Sequence, residues 1–166
     1  MMNSKKITRT ALLITMAALL GYVESLFPPI VPVPGIKLGL ANAVVMFVLY
    51  ADSGKSAWTV SMLKVILCSV LFGTATSFIY SLCGGALSLA VMLLAKRVKI
   101  FSVSGVSSIG GIFHNLGQLV CAYFFVGKGA ILYIPVLSVS GAVCGVLIGV
   151  MVQLILKRGG NLFGKE

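Results

Sequence analysis

Six apolar stretches, most of them about twenty residues long, divide the chain and limit its possible folds more than any other feature. Because a helix rises about 1.5 Å per residue, about 20 apolar residues cross the roughly 30 Å hydrocarbon layer of a membrane. The stretches do not alternate apolar and polar residues, as the strands of a membrane barrel do. The sequence therefore predicts an all-α polytopic membrane protein, a single domain over residues 1–166 with six transmembrane helices in one bundle.

Composition supports this class. Hydrophobic residues make up 59% of the chain and charged residues only 10%, whereas about a quarter of a soluble domain is charged. The formal charge of +10 could indicate a nucleic-acid partner. However, the basic residues lie in short clusters at the ends of the apolar stretches rather than along one face. We therefore expect a lipid bilayer and no nucleic acid as the partner.

Prolines and polar turns set the predicted helix ends. Four prolines within residues 28–34 end the first helix, because a helix interior does not tolerate proline. Short polar turns follow at residues 52–55 and 127–129, and a break is predicted at residues 73–77. The predicted helices cover approximately residues 7–27, 36–51, 56–72, 77–95, 104–126 and 131–156.

The basic residues also predict orientation, because cytoplasmic loops carry an excess of lysine and arginine. On one side of the predicted bundle, the loops and helix ends carry only two basic residues, Lys37 and Lys128. The other side has many more, and we predict a multi-pass protein of the cytoplasmic membrane with both termini in the cytoplasm. The basic residues of that side are Lys5, Lys6, Arg9, Lys55, Lys96, Arg97, Lys99, Lys157, Arg158 and Lys165.

Polar side chains within the spans are the candidates for a binding site, because such residues are costly in lipid and often mark a ligand or ion path. Lys64 lies about eight residues inside the third predicted helix, at a depth of roughly 12 Å. It needs a counter-charge, and the chain has only three acidic residues. A bound anion, or Glu24 reached across a cavity, would supply one. The predicted ligand-binding residues are Glu24, Lys37, Asn42, Lys64, His114, Asn115 and Gln118.

Each candidate also has a structural interpretation. Lys37 could extend its amine to the membrane interface, or pair with Glu24 across the proline segment. The amides of Asn42, Asn115 and Gln118 could join helices by hydrogen bonds. A lone histidine is often a satisfied core residue.

Small residues at four-residue spacing form a second pattern, which leaves a groove for a neighbouring helix. On the first helix they form two pairs, Ala11 with Thr15 and Ala17 with Gly21, and contact with a partner membrane protein is one explanation of them. Residues 141–149 of the sixth helix repeat glycine at the same spacing. Packing within the bundle is the alternative for both.

Several kinds of chemistry are not expected. Gly54, Lys55 and Ser56 resemble the end of a phosphate-binding loop, but Leu49 stands where that motif needs glycine. Prenyl synthases hold magnesium with clusters of aspartate, and Asp52 is the only aspartate. The acids are in the wrong places for a triad of serine, histidine and acid, and the four cysteines are widely spaced. We expect no catalytic residue, no metal and no cofactor, and hence no enzyme activity in this chain alone.

Five short segments resemble the Gx transporter family, whose members often carry the label heptaprenyl diphosphate synthase component I. The resemblance extends over nearly the whole chain. The segments are ESLFP at 24–28, PGIKLGLAN at 34–42, SLCGGALS at 81–88, HNLGQ at 114–118 and YIPVL at 133–137.

This family is similar to the substrate-binding S components of energy-coupling factor (ECF) transporters, and the similarity implies a function. Such S components have six helices, and their first outer loop caps a substrate site. Small residues on their first helix meet a transmembrane coupling protein driven by two ATPases. The resemblance implies that Ala11, Thr15, Ala17 and Gly21 form this docking face here. The resemblance thus implies a subunit that captures a small vitamin-like or isoprenoid- or quinone-related molecule from outside. The alternative is a non-catalytic membrane subunit associated with heptaprenyl diphosphate or quinone biosynthesis.

Overall fold

A computed structural model of the protein describes residues 4–26 and 39–159. Within these ranges the chain forms six α-helices and one short 3₁₀ helix, with no strand, which confirms the predicted all-α class. The α-helices are α1 (Ser4–Ser25), α2 (Leu40–Ala51), α3 (Gly54–Phe72), α4 (Ala75–Val98), α5 (Val103–Val126) and α6 (Ile134–Gly159). The 3₁₀ helix, Lys128–Tyr133, joins α5 to α6.

Side-chain hydroxyls begin three of the helices. Ser53 accepts a hydrogen bond from the backbone N–H of Ser56 at the start of α3. Thr74 and Ser77 form a reciprocal capping box at the start of α4, and Ser102 caps α5. Each hydroxyl satisfies a backbone donor that the first helical turn leaves without a partner. The polar turns of the sequence therefore become helix boundaries.

Two helices begin later than the sequence predicts. Gly39 has a φ of +77°, a left-handed conformation outside the helix, so α2 begins at Leu40 rather than near residue 36. α6 begins at Ile134 rather than near residue 131. A start at 131 would place Pro135 where its missing N–H breaks a helical hydrogen bond, whereas a start at 134 places it in the first turn.

Helices that follow one another in the chain run antiparallel, and α5 lies between α4 and α6. Gly84 and Gly117 meet where α4 crosses α5. Gly111 meets Gly141 where α5 crosses α6, and further along the same pair of helices Gly149 meets Ser104. The glycines of α6 therefore pack within the chain, which is the internal alternative that the sequence left open.

The bundle is closed at one half. A continuous apolar core joins α2 to the start of α3, the end of α4 and the end of α6, and Leu49, Val60, Leu89 and Val152 are fully buried in it. At this closed half the Lys96 amine donates to the backbone oxygen of Leu49 and lies 4.7 Å from the centre of the Tyr50 ring. α2 contacts α1, α3 and α6 and so lies inside the bundle.

The outer surface is that of a membrane protein. Within the described ranges, four segments are long and apolar enough to cross a bilayer: Ser4–Ser25, Gly54–Phe72, Ala75–Val98 and Lys128–Gly159. Their exposed side chains include many large apolar ones. α2 is a shorter apolar helix of 12 residues, and α5 carries His114, Asn115 and Gln118. Six membrane crossings remain a prediction.

Candidate functional site

A cavity of about 310 Å³ opens at the half of the bundle opposite the closed core. The end of α1, the start of α2, the end of α3, the start of α4 and the inner faces of α5 and α6 form its wall. The structure brings six of the seven predicted ligand-binding residues to this cavity: Glu24, Asn42, Lys64, His114, Asn115 and Gln118. The seventh, Lys37, lies outside the described residues.

Lys64 is the buried charge of the cavity. Its side chain is only 7% exposed, and its amine donates a hydrogen bond of 2.7 Å to Oδ1 of Asn42 on the neighbouring helix. The amide supplies an acceptor but no negative charge. An ammonium that is removed from water is costly unless it is well hydrogen-bonded. The pair therefore places a positive charge where a ligand can reach it.

Glu24 joins the end of α1 to the start of α2. Its Oε1 accepts a hydrogen bond of 2.5 Å from the backbone N–H of Gly39, the residue that precedes α2. A carboxylate is favourable here because the N-terminal end of a helix carries partial positive charge. Glu24 thus lines the cavity and also has a structural role: it holds the end of α1 next to the start of α2.

On α5, His114 and Gln118 lie four residues apart and share the face that lines the cavity. Gly84 of α4 makes room for them, since a Cβ at that position would lie 2.9 Å from Cγ of Gln118. Oε1 of Gln118 is buried, and no described residue donates a hydrogen bond to it. Such an atom is costly unless a donor reaches it.

Asn115 has a different role from its neighbours. Its Nδ2 donates a hydrogen bond of 2.7 Å to the backbone oxygen of Leu137, and a longer one of 3.5 Å to Ser140. Both partners belong to α6. Asn115 therefore joins two helices, the structural interpretation that the sequence allowed for it, while still lining the cavity.

Sequence analysis missed the hydroxyl groups of the cavity wall. Ser77, Ser81 and Ser88 line it from α4, and Ser107 lines it from α5. A signal was present: 77, 81 and 88 recur at spacings of four and seven, which place them on one helix face. Serine is common in membrane helices, so only this shared face distinguishes them.

The predicted docking face divides into two parts. Ala11 and Thr15 lie on the exposed side of α1. Ala17 is fully buried, and a Cβ at Gly21 would lie 3.4 Å from Sγ of Cys68. Ala17 and Gly21 therefore lie on the side of the helix that packs into the bundle, and docking of a partner at α1 stays a prediction.

Comparison with known proteins gives a family. Residues 13–155 match the family described as heptaprenyl diphosphate synthase component I. No curated protein and no solved structure matches the chain. The matched range includes every cavity residue discussed above. The chain therefore belongs to the heptaprenyl diphosphate synthase component I family, the family that its sequence motifs indicated.

Proposed function

We propose that this protein is the substrate-binding subunit of an importer of the energy-coupling factor type and captures a small molecule in its cavity from outside the cell. One observation carries the proposal: polar residues of five helices, α1 to α5, meet in a cavity of an otherwise apolar bundle. Its volume of about 310 Å³ is at the lower end of the range of about 300–1,000 Å³ for small-molecule sites. A vitamin-sized molecule suits this volume.

The wall residues are suited to binding rather than to bond breaking. Lys64, held by Asn42, offers a charged donor, and His114 and Gln118 add polar groups on the opposite wall. Segment 27–38 leaves α1 and enters α2 at residues that line the cavity, Ser25 and Gly39. In this proposal the segment caps the ligand, and the protein has no catalytic activity of its own.

Transport needs a partner that supplies energy. The exposed positions Ala11 and Thr15 of α1 form the proposed contact with a transmembrane coupling protein, which two ATPases drive. Their small side chains allow another helix to approach closely.

Native mass spectrometry of the protein, purified from its own cells in mild detergent, tests the capture role. We expect a discrete water-soluble small molecule, together with coupling and ATPase subunits. Lys64→Met should purify without the small molecule, while the exposed Lys55→Met on the same helix should retain it. Equal ligand occupancy in both variants would remove Lys64 from the site.

A bulky substitution tests the docking face. Thr15→Trp should reduce recovery of the coupling subunit at least tenfold, because the large ring prevents close approach of a second helix. Met16→Trp is the matched control, since Met16 is also exposed but lies about 100° around the helix. Equal recovery from both variants would place the partner elsewhere.

The second candidate is a non-catalytic membrane subunit associated with heptaprenyl diphosphate or quinone biosynthesis. The description of the matching family favours it. The cavity is less suited to a prenyl diphosphate, because Lys64 is the only lysine or arginine among its described wall residues. Co-purification of a prenyl synthase with a prenyl or quinone compound would support this candidate over the importer.

A further inference from the structure

The turn between α4 and α5 exposes large apolar side chains beside basic ones. Lys99 has a φ of +60° and follows the last residue of α4, so the chain changes direction there before α5 begins. Ile100 is 81% exposed and Phe101 is 46% exposed, and the side chains of Arg97 and Lys99 are exposed as well. Apolar and basic side chains therefore share one short surface, the 97–101 turn.

In the predicted topology this turn lies beyond the hydrocarbon layer. α4 has 24 residues and is therefore about 36 Å long, whereas the hydrocarbon layer is roughly 30 Å thick. Exposed apolar side chains on the body of α4 face lipid tails and need no further partner. Ile100 and Phe101 differ from them, because they follow the end of the helix and lie at the level of the lipid headgroups.

Nearby acidic residues do not neutralise the basic side chains of the turn. The sequence has no acidic residue between Asp52 and Glu166, so α4, α5 and α6 contain none. By the predicted topology, ten of the thirteen basic residues lie on the side of the closed half, together with these two acids. That count includes Lys165 and Glu166, which lie outside the described residues. The surface therefore attracts an anionic partner.

We propose that the 97–101 turn is a binding site for an anionic phospholipid of the adjoining leaflet. Arg97 and Lys99 contact the headgroup phosphate, while Ile100 and Phe101 rest against the upper part of the acyl chains. A phospholipid joins an anionic group to apolar chains and so matches both components of this surface. The turn is at the opposite half of the bundle from the cavity, and the inference does not depend on the proposed capture function.

Native mass spectrometry of the delipidated protein in mild detergent tests the proposal. The protein is titrated with palmitoyl-oleoyl phosphatidylglycerol or with palmitoyl-oleoyl phosphatidylcholine, which have the same acyl chains and differ in net charge. We expect the first bound phosphatidylglycerol to have at least a tenfold lower dissociation constant, since each basic residue near an anionic group contributes about a factor of five.

Two variants separate the contributions of charge and of apolar contact. Arg97→Gln combined with Lys99→Gln should remove the preference for phosphatidylglycerol, so that both lipids bind with similar dissociation constants. Ile100→Ser should weaken the binding of both lipids at least threefold, because it removes an apolar contact and leaves the charge unchanged.

Matched controls change the same kinds of residue elsewhere. Lys157→Gln combined with Arg158→Gln removes the same charge from exposed residues at the end of α6, where Leu156 packs in the same core as Val103 at the start of α5. This variant should keep the preference within twofold. Ile131→Ser changes an exposed apolar residue at the cavity half and should bind both lipids as the unmodified protein does. Thermal unfolding checks that each variant is folded.

Equal affinity of the unmodified protein for the two lipids would overturn the proposal. An equal loss of preference in the α6 variant would also overturn it, because the preference would then follow total charge rather than this turn. Displacement of phosphatidylglycerol by millimolar inorganic phosphate would indicate a site for free anions instead. If the turn variants kept their lipid preference but lost a co-purifying protein subunit, the surface would bind a protein and not a lipid.

Discussion

Lys64 places an ammonium group among helices whose other described buried side chains carry no charge. The sequence indicated this residue because so few acidic groups were there to neutralise it. The structure adds the partner that the sequence did not specify, the Oδ1 of Asn42. The two residues should therefore act as one unit in folding as well as in binding.

A double-mutant cycle measures this coupling. Asn42→Leu should lower the free energy of unfolding by about 1.5–3 kcal/mol, because the buried ammonium loses an acceptor. Adding Lys64→Met should restore part of the loss, since a thioether needs no acceptor at this position. Unfolding in detergent can be followed by fluorescence of Trp58, the single tryptophan. Strictly additive losses would contradict the coupling.

Glu24 offers a second test at the residue scale. Glu24→Ala should lower the free energy of unfolding by about 1 kcal/mol, because it removes the acceptor for the Gly39 N–H at the start of α2. Glu24→Gln should cost less, since an amide oxygen still accepts. Thermal unfolding compares both with Asp52→Ala, an exposed acid. A loss as large in the Asp52 variant would show that the effect is not specific to this contact.

The sequence could predict the ionisable and amide residues of the cavity, because such groups are rare and costly in apolar helices. It could not separate binding from structural roles. Asn115 and Gln118 have the same chemical group and lie on the same helix, yet Asn115 joins α5 to α6 and the Gln118 oxygen has no described donor. Whether such an amide binds a ligand or joins two helices depends on the position of the neighbouring helix.

Among the elements, α5 and α6 approach each other most closely. A Cβ at Gly111 would lie 2.1 Å from the backbone oxygen of Gly141, and one at Gly145 would lie 2.5 Å from that of Ser107. The Ser108 hydroxyl also donates to the backbone oxygen of Ala142 across the same interface. The two helices therefore pack backbone against backbone.

Gly111→Ala should be strongly destabilising, by about 3 kcal/mol or more, because the new methyl group meets a rigid carbonyl rather than a flexible side chain. Gly129→Ala is the matched control: nothing lies within 4 Å of its Cβ position. Its effect should stay within about 0.5 kcal/mol. Thermal unfolding in detergent measures both, and similar values for the two variants would contradict this close packing.

Helix positions followed well from polar turns and prolines, but two features did not. Nothing in the sequence around Gly39 shows that this residue adopts a left-handed rather than a helical conformation. The glycines of α6 have the same spacing whether they face a helix of the same chain or of another. In both cases the deciding factor is a neighbour distant in sequence.

At the scale of the whole molecule, the bundle is packed at one half and hollow at the other. The turn between α2 and α3 and the end of α4 belong to the closed half, which the distribution of basic residues predicts to be cytoplasmic. The start of α4 and the turn between α5 and α6 lie at the cavity half. We therefore predict that the cavity opens to the outside, provided that all six helices cross the membrane.

Single cysteines test this topology. In a variant with the four native cysteines replaced, Thr76→Cys and Gly129→Cys should react in intact cells with a membrane-impermeant maleimide. Lys55→Cys and Arg97→Cys should react only after permeabilisation. Labelling of Lys55→Cys from outside would show that α2 does not cross the membrane, and protection of Gly129→Cys would show the same for α5.

The short helix α2 is held by opposite charges at its two ends. The Glu24 carboxylate binds at its N-terminal end and the Lys96 ammonium at its C-terminal end, each sign complementing the dipole of the helix. A ligand that draws the Glu24 carboxylate away from Gly39 weakens one of these attachments and leaves the other untouched. Ligand affinity and the position of one end of α2 then become thermodynamically linked, so anything that displaces that end must change the affinity by the same free energy.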